Sequence, residues 1–251
     1  MRLFQSLSRA SLSLTAMLAM TSASQAVIVL GNGDTVNLGA LMSTGSDRRF
    51  IVDDKLFTFK YVTTPSFNIQ QFDITGYISA TTNQYGLRNV GFDLTGPFVD
   101  GGINDQTVQD MNLQYTVEIL PEYYERGVRL SDTRLAFNGS ASGTGSFARV
   151  AETVFETDTG SLLGNMNVFS NAGPPPSEQL SEEKDWAAIN QNGGYRSFEL
   201  NKNINVFAST DGGFAVCSFV RQDFSQIMAM PTPGALALVA VSALVGTRRR
   251  R

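Results

Sequence analysis

The sequence predicts an all-β protein whose main body is an antiparallel β-sandwich with a jelly-roll-like arrangement. Apolar and polar residues alternate in many short segments, as they do in strands that face a core on one side. Turns rich in glycine, asparagine and proline separate these segments at short intervals. Many short strands with frequent turns favour a sandwich or a barrel over alternating strands and helices.

The clearest predicted strand covers residues 111–119. Every second residue from Met111 to Ile119 is apolar and the residues between them are polar, which is the pattern of a half-buried strand. The same alternation predicts strands at 57–61, 72–80 and 89–94. Less regular strands are predicted at 135–137, 147–156, 162–169, 197–200, 204–209 and 214–222.

Turn residues mark the boundaries between the later strands. Asn138-Gly139 and the segments 192–194 and 211–213 contain residues that accept a positive φ. Three consecutive prolines, Pro174 to Pro176, exclude any regular element at that point. We therefore expect turns at these four places.

The one predicted helix runs from Ser181 to Asn190. Ser181 is a suitable N-cap, and acidic residues follow it in the first turn. Trp186 and Ile189 lie three residues apart and would share one face of the helix.

The residue inventory excludes many enzyme chemistries. The chain has no histidine and one cysteine, Cys217, so a histidine-containing catalytic triad and a multi-cysteine metal site are both impossible. No disulfide can form within the chain. The sequence therefore predicts a protein that is not an enzyme, and Cys217, within a β-like segment, is expected to pack as a small apolar residue.

Residues 1–26 have the layout of a secretory signal peptide. Arg2 and Arg9 are followed by a short apolar run, and small residues stand at Ser24 and Ala26. Signal peptidase would cut after Ala26. A buried N-terminal helix is the alternative.

Residues 231–251 resemble a second processing signal. Pro231, Thr232 and Pro233 precede an apolar stretch that is shorter than the roughly 20 residues needed to span a bilayer comfortably. The chain then ends in a basic cluster, which favours arrest with this end on the cytoplasmic side of the membrane. The cluster consists of Arg248, Arg249, Arg250 and Arg251.

This combination resembles the PEP-CTERM sorting signal, which exosortases process in bacteria. Thr232 stands where the family usually has glutamate. The resemblance implies transient association with the inner membrane, cleavage near Pro231 to Pro233, and a final location outside the cell or on its surface. A plain C-terminal membrane anchor is the alternative that the short apolar stretch leaves open.

The chain between the two signals, residues 27–230, is predicted to be one extracellular domain with an acidic surface. Six of the 19 basic residues lie in the terminal segments, whereas all 23 acidic residues lie between them. An acidic surface disfavours nucleic acid as a partner. The body also resembles a recurrent extracellular domain found in front of such sorting signals, on motifs that include Ala151 to Val154 and Phe224 to Gln226. That resemblance implies a location and no catalytic residues.

A loop with several oxygen-bearing side chains is a candidate calcium site. Asp100, Asn104 and Asp105 lie within six residues that also include two glycines. The spacing does not match the EF-hand loop, and such residues are ordinary in turns. No other cofactor is expected.

Two carboxylates, Glu152 and Glu156, follow one predicted strand face. Residues four apart on a strand stand roughly 13 Å from each other, too far for the paired carboxylates of a glycosidase. We therefore expect Glu152, which lies between valines, to be a partly buried carboxylate that pairs with an arginine or with backbone donors.

Aromatic side chains are candidate contacts for sugars. Tyr123 and Tyr124, between Glu122 and Glu125 in a polar segment, are predicted to be an exposed pair. The other aromatics considered have core packing as an equal explanation: Tyr77, Tyr85, Tyr115, Tyr195 and Trp186.

Three functions remain open. The first is a non-enzymatic structural or adhesive protein of the cell envelope or extracellular matrix. The second is a glycan-binding module for exopolysaccharide, assisted by calcium or not. The third is a carboxylate-based polysaccharide hydrolase, which requires two carboxyl groups from different strands to meet in a groove.

Overall fold

The computed structural model describes residues 27–43, 47–101, 107–190, 193–209 and 212–229. The predicted signal peptide and sorting tail lie outside these residues, so both remain predictions, as do the domain boundaries. Within the described ranges, no helix has the length and apolar character needed to cross a bilayer.

Fourteen strands and three short helical turns make up the described chain. The helical turns are α1 (Leu38–Leu41), a 3-10 turn (Ile69–Gln71) and α2 (Pro121–Tyr124). The strands are β1 (Ile28–Leu30), β2 (Thr35–Asn37), β3 (Arg49–Val52), β4 (Lys55–Thr63), β5 (Asp73–Thr82), β6 (Arg88–Asp100), β7 (Gln109–Ile119), β8 (Val128–Ser142), β9 (Phe147–Glu156), β10 (Leu162–Asn171), β11 (Ser177–Gln179), β12 (Ser181–Asp185), β13 (Ser197–Phe207) and β14 (Phe214–Met228).

The strands form two sheets, as the prediction of an all-β sandwich requires. One sheet has eight strands in the order β1-β3-β4-β7-β13-β9-β10-β11, and the other has six in the order β12-β8-β14-β6-β5-β2. The prediction of antiparallel pairing is wrong at one edge, where β1 runs parallel to β3. The finer jelly-roll-like assignment stays a prediction.

The core lies between the sheets and is rich in phenylalanine. β7 alternates buried and half-buried residues from Met111 to Ile119, as its sequence predicts. Phe57 and Phe92, from opposite sheets, meet edge to face with their ring centroids 5.4 Å apart. Each buried phenylalanine contributes about 1.5–3 kcal/mol by leaving water. These contacts fix the position of one sheet against the other.

The predicted helix at Ser181–Asn190 is wrong, because its first half is strand β12. β12 pairs with β8 from Ser181 opposite Ala136 to Asp185 opposite Asp132. After the strand, the indole of Trp186 is buried and its Nε1 donates to Thr133 Oγ1 at 3.0 Å. Pairing with β8 therefore outweighed the local capping signal.

The turn predicted at Asn138-Gly139 is also wrong. Both residues lie inside the long strand β8, opposite a bulge in β14 between Cys217 and Phe219. The chain does not reverse direction at these residues. The bulge in β14 instead shifts the strand pairing locally while β8 continues. The segments predicted as two strands at 197–200 and 204–209 form the single strand β13.

Gly91 allows β6 and β14 to approach each other closely. A Cβ atom at this position would lie 1.8 Å from the carbonyl oxygen of Gln222. Any other residue here would force the two strands apart. This contact fixes the part of β14 that carries the polar side chains described below.

Candidate functional site

A cleft at one end of the sandwich is lined mainly by polar side chains, some exposed and some buried. It consists of two depressions, of about 310 and 380 Å³, that share Gln226 near the end of β14. The turn before β4, the β5–β6 hairpin and the first residues of β8 contribute its walls. We call this surface the end cleft.

Tyr85 stands at the tip of the β5–β6 hairpin and lines the larger depression. It is 44% exposed, and no described residue stacks on its ring. Asn83 fixes the hairpin, because its Oδ1 accepts from the backbone N–H groups of Tyr85 and Leu87 at 2.9 and 3.1 Å. The Asn83 amide also donates to the carbonyl oxygen of Gln226 at 2.6 Å. The exposed ring is thus attached to a rigid support.

Two carboxylates from neighbouring strands line the same depression. Asp132 on β8 and Asp185 on β12 are direct cross-strand partners. Burial raises the pKa of the Asp132 carboxyl, and the nearby Glu183 raises it further. The Asp132 carboxylate accepts hydrogen bonds from the Ser225 backbone N–H (3.1 Å) and the Ser131 hydroxyl (3.3 Å). Both hydrogen bonds lower the pKa of Asp132 and fix the orientation of its carboxylate. The depression therefore combines an exposed ring with fixed hydrogen-bond acceptors.

The prediction that Tyr123 and Tyr124 are an exposed pair is wrong. Both are half-buried in α2 and pack against the core. The guanidinium of Arg129 lies 3.5 Å from the Tyr124 ring centroid, and that of Arg196 lies 5.2 Å from it. These arginines occupy the face that a sugar would need. Tyr123 still lines the smaller depression of the end cleft.

The candidate calcium loop is described only in part. Asp100 is buried, and its Oδ2 accepts from the backbone N–H of Ala208 at 2.7 Å. Asn104 and Asp105 lie outside the described residues. Among the residues that are described, no group of three or more acidic, histidine or cysteine side chains is arranged to hold a metal ion.

A buried charged cluster joins the two sheets. Glu152 on β9 and Lys202 on β13 are direct partners in the eight-stranded sheet, with Lys202 Nζ 2.5 Å from Glu152 Oε2. Lys202 Nζ also donates to Oε1 of Gln222, on β14 of the other sheet, at 2.7 Å. Glu152 is buried and paired as expected, although with a lysine instead of an arginine. We call these three residues the Lys202 cluster.

Several buried polar atoms in and beside the Lys202 cluster lack a well-aligned hydrogen bond. Lys202 and Glu152 side chains are 2% and 0% exposed. Both carboxylate oxygens of Glu152, Nε2 of Gln222 and the nearby hydroxyl of Tyr115 have no well-aligned hydrogen bond. Lys202 and Gln222 nevertheless lie close enough to Glu152 to lower the pKa of its carboxyl. Burial raises the pKa of Glu152 and lowers that of Lys202, and their mutual attraction opposes both shifts.

A second buried lysine lies behind the end cleft. Lys55 Nζ contacts Oδ1 of Asp54, the preceding residue, at 2.9 Å. The same oxygen accepts from Nε2 of Gln226 at 3.0 Å. Burial lowers the pKa of Lys55, while Asp54 opposes this shift. We call these residues the Lys55 cluster.

Sequence analysis missed both buried lysines. The pattern that could have revealed Lys202 is the alternation of buried and exposed residues along its strand. Lys202 shares its strand face with Leu200 and Ile204, which are both buried, so alternation places its side chain in the core. The glutamine partners cannot be deduced in this way, because they come from the opposite sheet.

Comparison with known proteins gives no family. No family model matches the chain, and no curated protein matches it. Among solved structures, a protein from Bacteroides thetaiotaomicron that is proposed to bind sugars matches at 9% identity over 80% of this chain and 96% of its own, with a TM-score of 0.26.

Two carbohydrate-binding modules also match. One, which recognises mannan, has 8% identity over 67% of this chain and 98% of its own, with a TM-score of 0.23. The other, a family 11 module from Clostridium thermocellum, has 9% identity over 66% of this chain and 87% of its own, with a TM-score of 0.20. These TM-scores are too low to support an argument about fold or function.

Proposed function

We propose that this chain is a secreted, non-enzymatic protein of the cell envelope or extracellular matrix that adheres to glycans through its end cleft. The observation that carries the proposal is the exposed, rigidly supported ring of Tyr85 beside the carboxylates of Asp132 and Asp185. An aromatic face suits the C–H face of a sugar, and fixed carboxylate oxygens accept from its hydroxyl groups.

The size and character of the cleft support an oligosaccharide ligand. Each depression lies at the lower end of the roughly 300–1,000 Å³ seen in small-molecule sites, which suits part of an oligosaccharide better than a large cofactor. The acidic body disfavours polyanions, so the ligand is a neutral or basic glycan.

Glycan binding is tested with a panel of neutral oligosaccharides and bacterial exopolysaccharides, with calcium and with a chelator. We expect at least one glycan to bind with a Kd of about 1 mM or tighter. Tyr85→Ala should weaken that binding at least tenfold. Tyr61→Ala is the matched control, because Tyr61 is 45% exposed but does not line the end cleft. Equal weakening by both variants, or no binding at all, would reject the proposal.

The location of the protein depends on the two terminal signals. We expect signal peptidase to cut after Ala26 and an exosortase to cut near Pro231 to Pro233, after a pause in the inner membrane. Expression with and without an exosortase, followed by measurement of the C-terminal mass, tests this. Loss of Arg248 to Arg251 only in the exosortase strain supports sorting. Retention of the arginines in both strains would make the tail a permanent anchor.

A carboxylate-based hydrolase is the second candidate, favoured by one observation. Asp132 and Asp185 are direct cross-strand partners on different strands and line one depression, as that chemistry requires. Asp132, with its raised pKa, would be the acid and Asp185 the base or nucleophile. Release of reducing ends from a bound glycan, abolished in Asp132→Asn, would identify the hydrolase. Binding without release supports the adhesive function.

A further inference from the structure

The Lys202 cluster places an amine, a carboxamide and a carboxyl group in contact inside a dry core. Lys202 Nζ lies 2.7 Å from Gln222 Oε1. Because a carbonyl bond is about 1.2 Å long, the amine lies within about 4 Å of the Gln222 carbonyl carbon. Glu152 touches the amine from the other side. Bulk water, which would solvate these groups and compete as a nucleophile, is excluded.

We propose that Lys202 and Gln222 form an intramolecular isopeptide bond, with Glu152 as the catalytic acid and base. The bond would join β13 of the eight-stranded sheet to β14 of the six-stranded sheet. It does not depend on glycan binding or on the terminal signals.

The reaction balances without a co-reactant. Glu152 takes a proton from the Lys202 ammonium group, and the free amine attacks the carbonyl carbon of Gln222. The new carbon–nitrogen bond pushes the carbonyl electrons onto oxygen. Glu152 passes its proton to Nε2, the bond to Nε2 breaks as the carbonyl re-forms, and ammonia leaves. The Glu152 carboxylate then takes the second proton from the former Lys202 nitrogen, which leaves a neutral amide and a protonated Glu152. An amine and a carboxamide become a secondary amide and ammonia, with no change of oxidation state.

The surroundings favour each step. Burial shifts the pKa of Glu152 upward and that of Lys202 downward, so proton transfer to the neutral pair is eased. The Gln222 side chain also interacts with Glu152 and lowers the pKa of its carboxyl, so the group that supplies the proton lies beside the leaving amide. Fixed contact between reacting groups is equivalent to a concentration on the order of 10⁵–10⁸ M.

The Lys55 cluster has the same residue types but not the same reactive contact. Asp54 stands between Lys55 and Gln226, and it is the amide nitrogen of Gln226, not its carbonyl oxygen, that faces the carboxylate. We therefore expect no bond there. Lys55→Met serves as a matched control for Lys202→Met.

The test is mass spectrometry of the folded full chain after denaturation and cleavage after glutamate. Glu199 is the last glutamate, so Lys202 and Gln222 lie in one fragment that begins at Leu200. We expect this fragment to be lighter by one ammonia, about 17 Da, than its sequence predicts. A tryptic fragment alone is unsuitable, because it would begin at Gln222 and lose ammonia by cyclising its own N-terminus.

Further cleavage of the fragment after Arg221 identifies the bond. The two halves should stay joined, because the isopeptide bond links Lys202 in the first half to Gln222 in the second. Separation of the halves at full mass would overturn the proposal, and this measurement needs no variant to fold.

Variants then assign the roles. Lys202→Met should abolish the ammonia loss, and Lys55→Met should leave it complete. Glu152→Gln should reduce the cross-linked fraction at least tenfold in folded protein. An undiminished ammonia loss in Lys202→Met would show that another group reacts, and an undiminished loss in Glu152→Gln would remove Glu152 from the reaction.

Discussion

The Lys202 cluster and the Lys55 cluster are two solutions to the burial of a lysine. Each pairs the lysine with a carboxylate, and each adds a glutamine from β14. The Lys202 cluster is assembled from three strands in two sheets and is sealed in the core. In the Lys55 cluster the carboxylate is the neighbouring residue, and Asp54 and Gln226 both reach the wall of the end cleft.

The two clusters contain the same kinds of residue but differ in which groups touch the lysine and in how close they lie to solvent. These two differences determine the chemical role of each buried ion pair. Asp54 Oδ1 accepts from both Lys55 Nζ and Gln226 Nε2, and only Oε1 of Gln226 lacks a partner there, so that cluster is a hydrogen-bonded support for the cleft. In the Lys202 cluster, burial disfavours the charged forms of both Glu152 and Lys202, which favours proton transfer from the lysine to the carboxylate.

The largest expected effect is the difference in stability between the variants Lys202→Met and Lys55→Met. Lys202→Met leaves Glu152 buried without a partner and prevents the proposed cross-link to Gln222, so it should lower the free energy of unfolding by at least about 3–5 kcal/mol. Lys55→Met should cost about 1–3 kcal/mol, because Asp54 keeps its hydrogen bond from Gln226 and lies beside the cleft. Urea unfolding of both variants measures the difference, and equal losses would contradict it.

The next effect concerns Asp223, on the opposite face of β14 from Gln222. Burial raises the pKa of Asp223 to about 6, while Arg134, Asn89 and Arg221 oppose the shift. The protonated form is favoured in the folded state. Its contribution to stability is complete below the unfolded pKa near 4 and is lost as the pH rises through 6.

We expect Asp223 to lower the free energy of unfolding by about 2–3 kcal/mol between pH 4 and pH 7. Asp223→Asn should remove that part of the pH dependence, whereas Lys55→Met should keep it. Urea unfolding at pH 4, 5, 6 and 7 provides the comparison. If the wild-type protein and Asp223→Asn change in parallel, the pH dependence arises elsewhere.

The smallest expected effect is the difference between the variants Gln226→Ala and Gln222→Ala. Gln226→Ala removes a hydrogen bond to Asp54 and part of the cleft wall, so it should cost about 1–2 kcal/mol and also weaken glycan binding. Gln222→Ala should leave glycan binding unchanged, since Gln222 does not line the cleft, and should abolish the ammonia loss. Titration with the bound glycan and fragment mass spectrometry check the two halves of this prediction.

The strands could be predicted from sequence wherever one face is apolar, as in β7 and β9. Ser181–Asn190 was misassigned because its capping signal is local, whereas its pairing partner in β8 lies more than 40 residues away. The same limit applies to the site. Alternation places Lys202 in the core, but only the packing of the two sheets brings Gln222 to it. Tyr85 is one of several aromatic residues that the sequence offers for sugar binding, and its exposure depends on the hairpin that Asn83 holds.

The central position of β14 has a mechanical consequence. β14 is hydrogen-bonded along its length to β8 on one side, and from Ala215 to Phe224 to β6 on the other. Tension applied along this strand would load both ladders in shear, so many hydrogen bonds would resist together instead of opening one after another. A protein that holds a cell to a surface against flow would transmit its load through the interior of the sheet, where rupture is slowest.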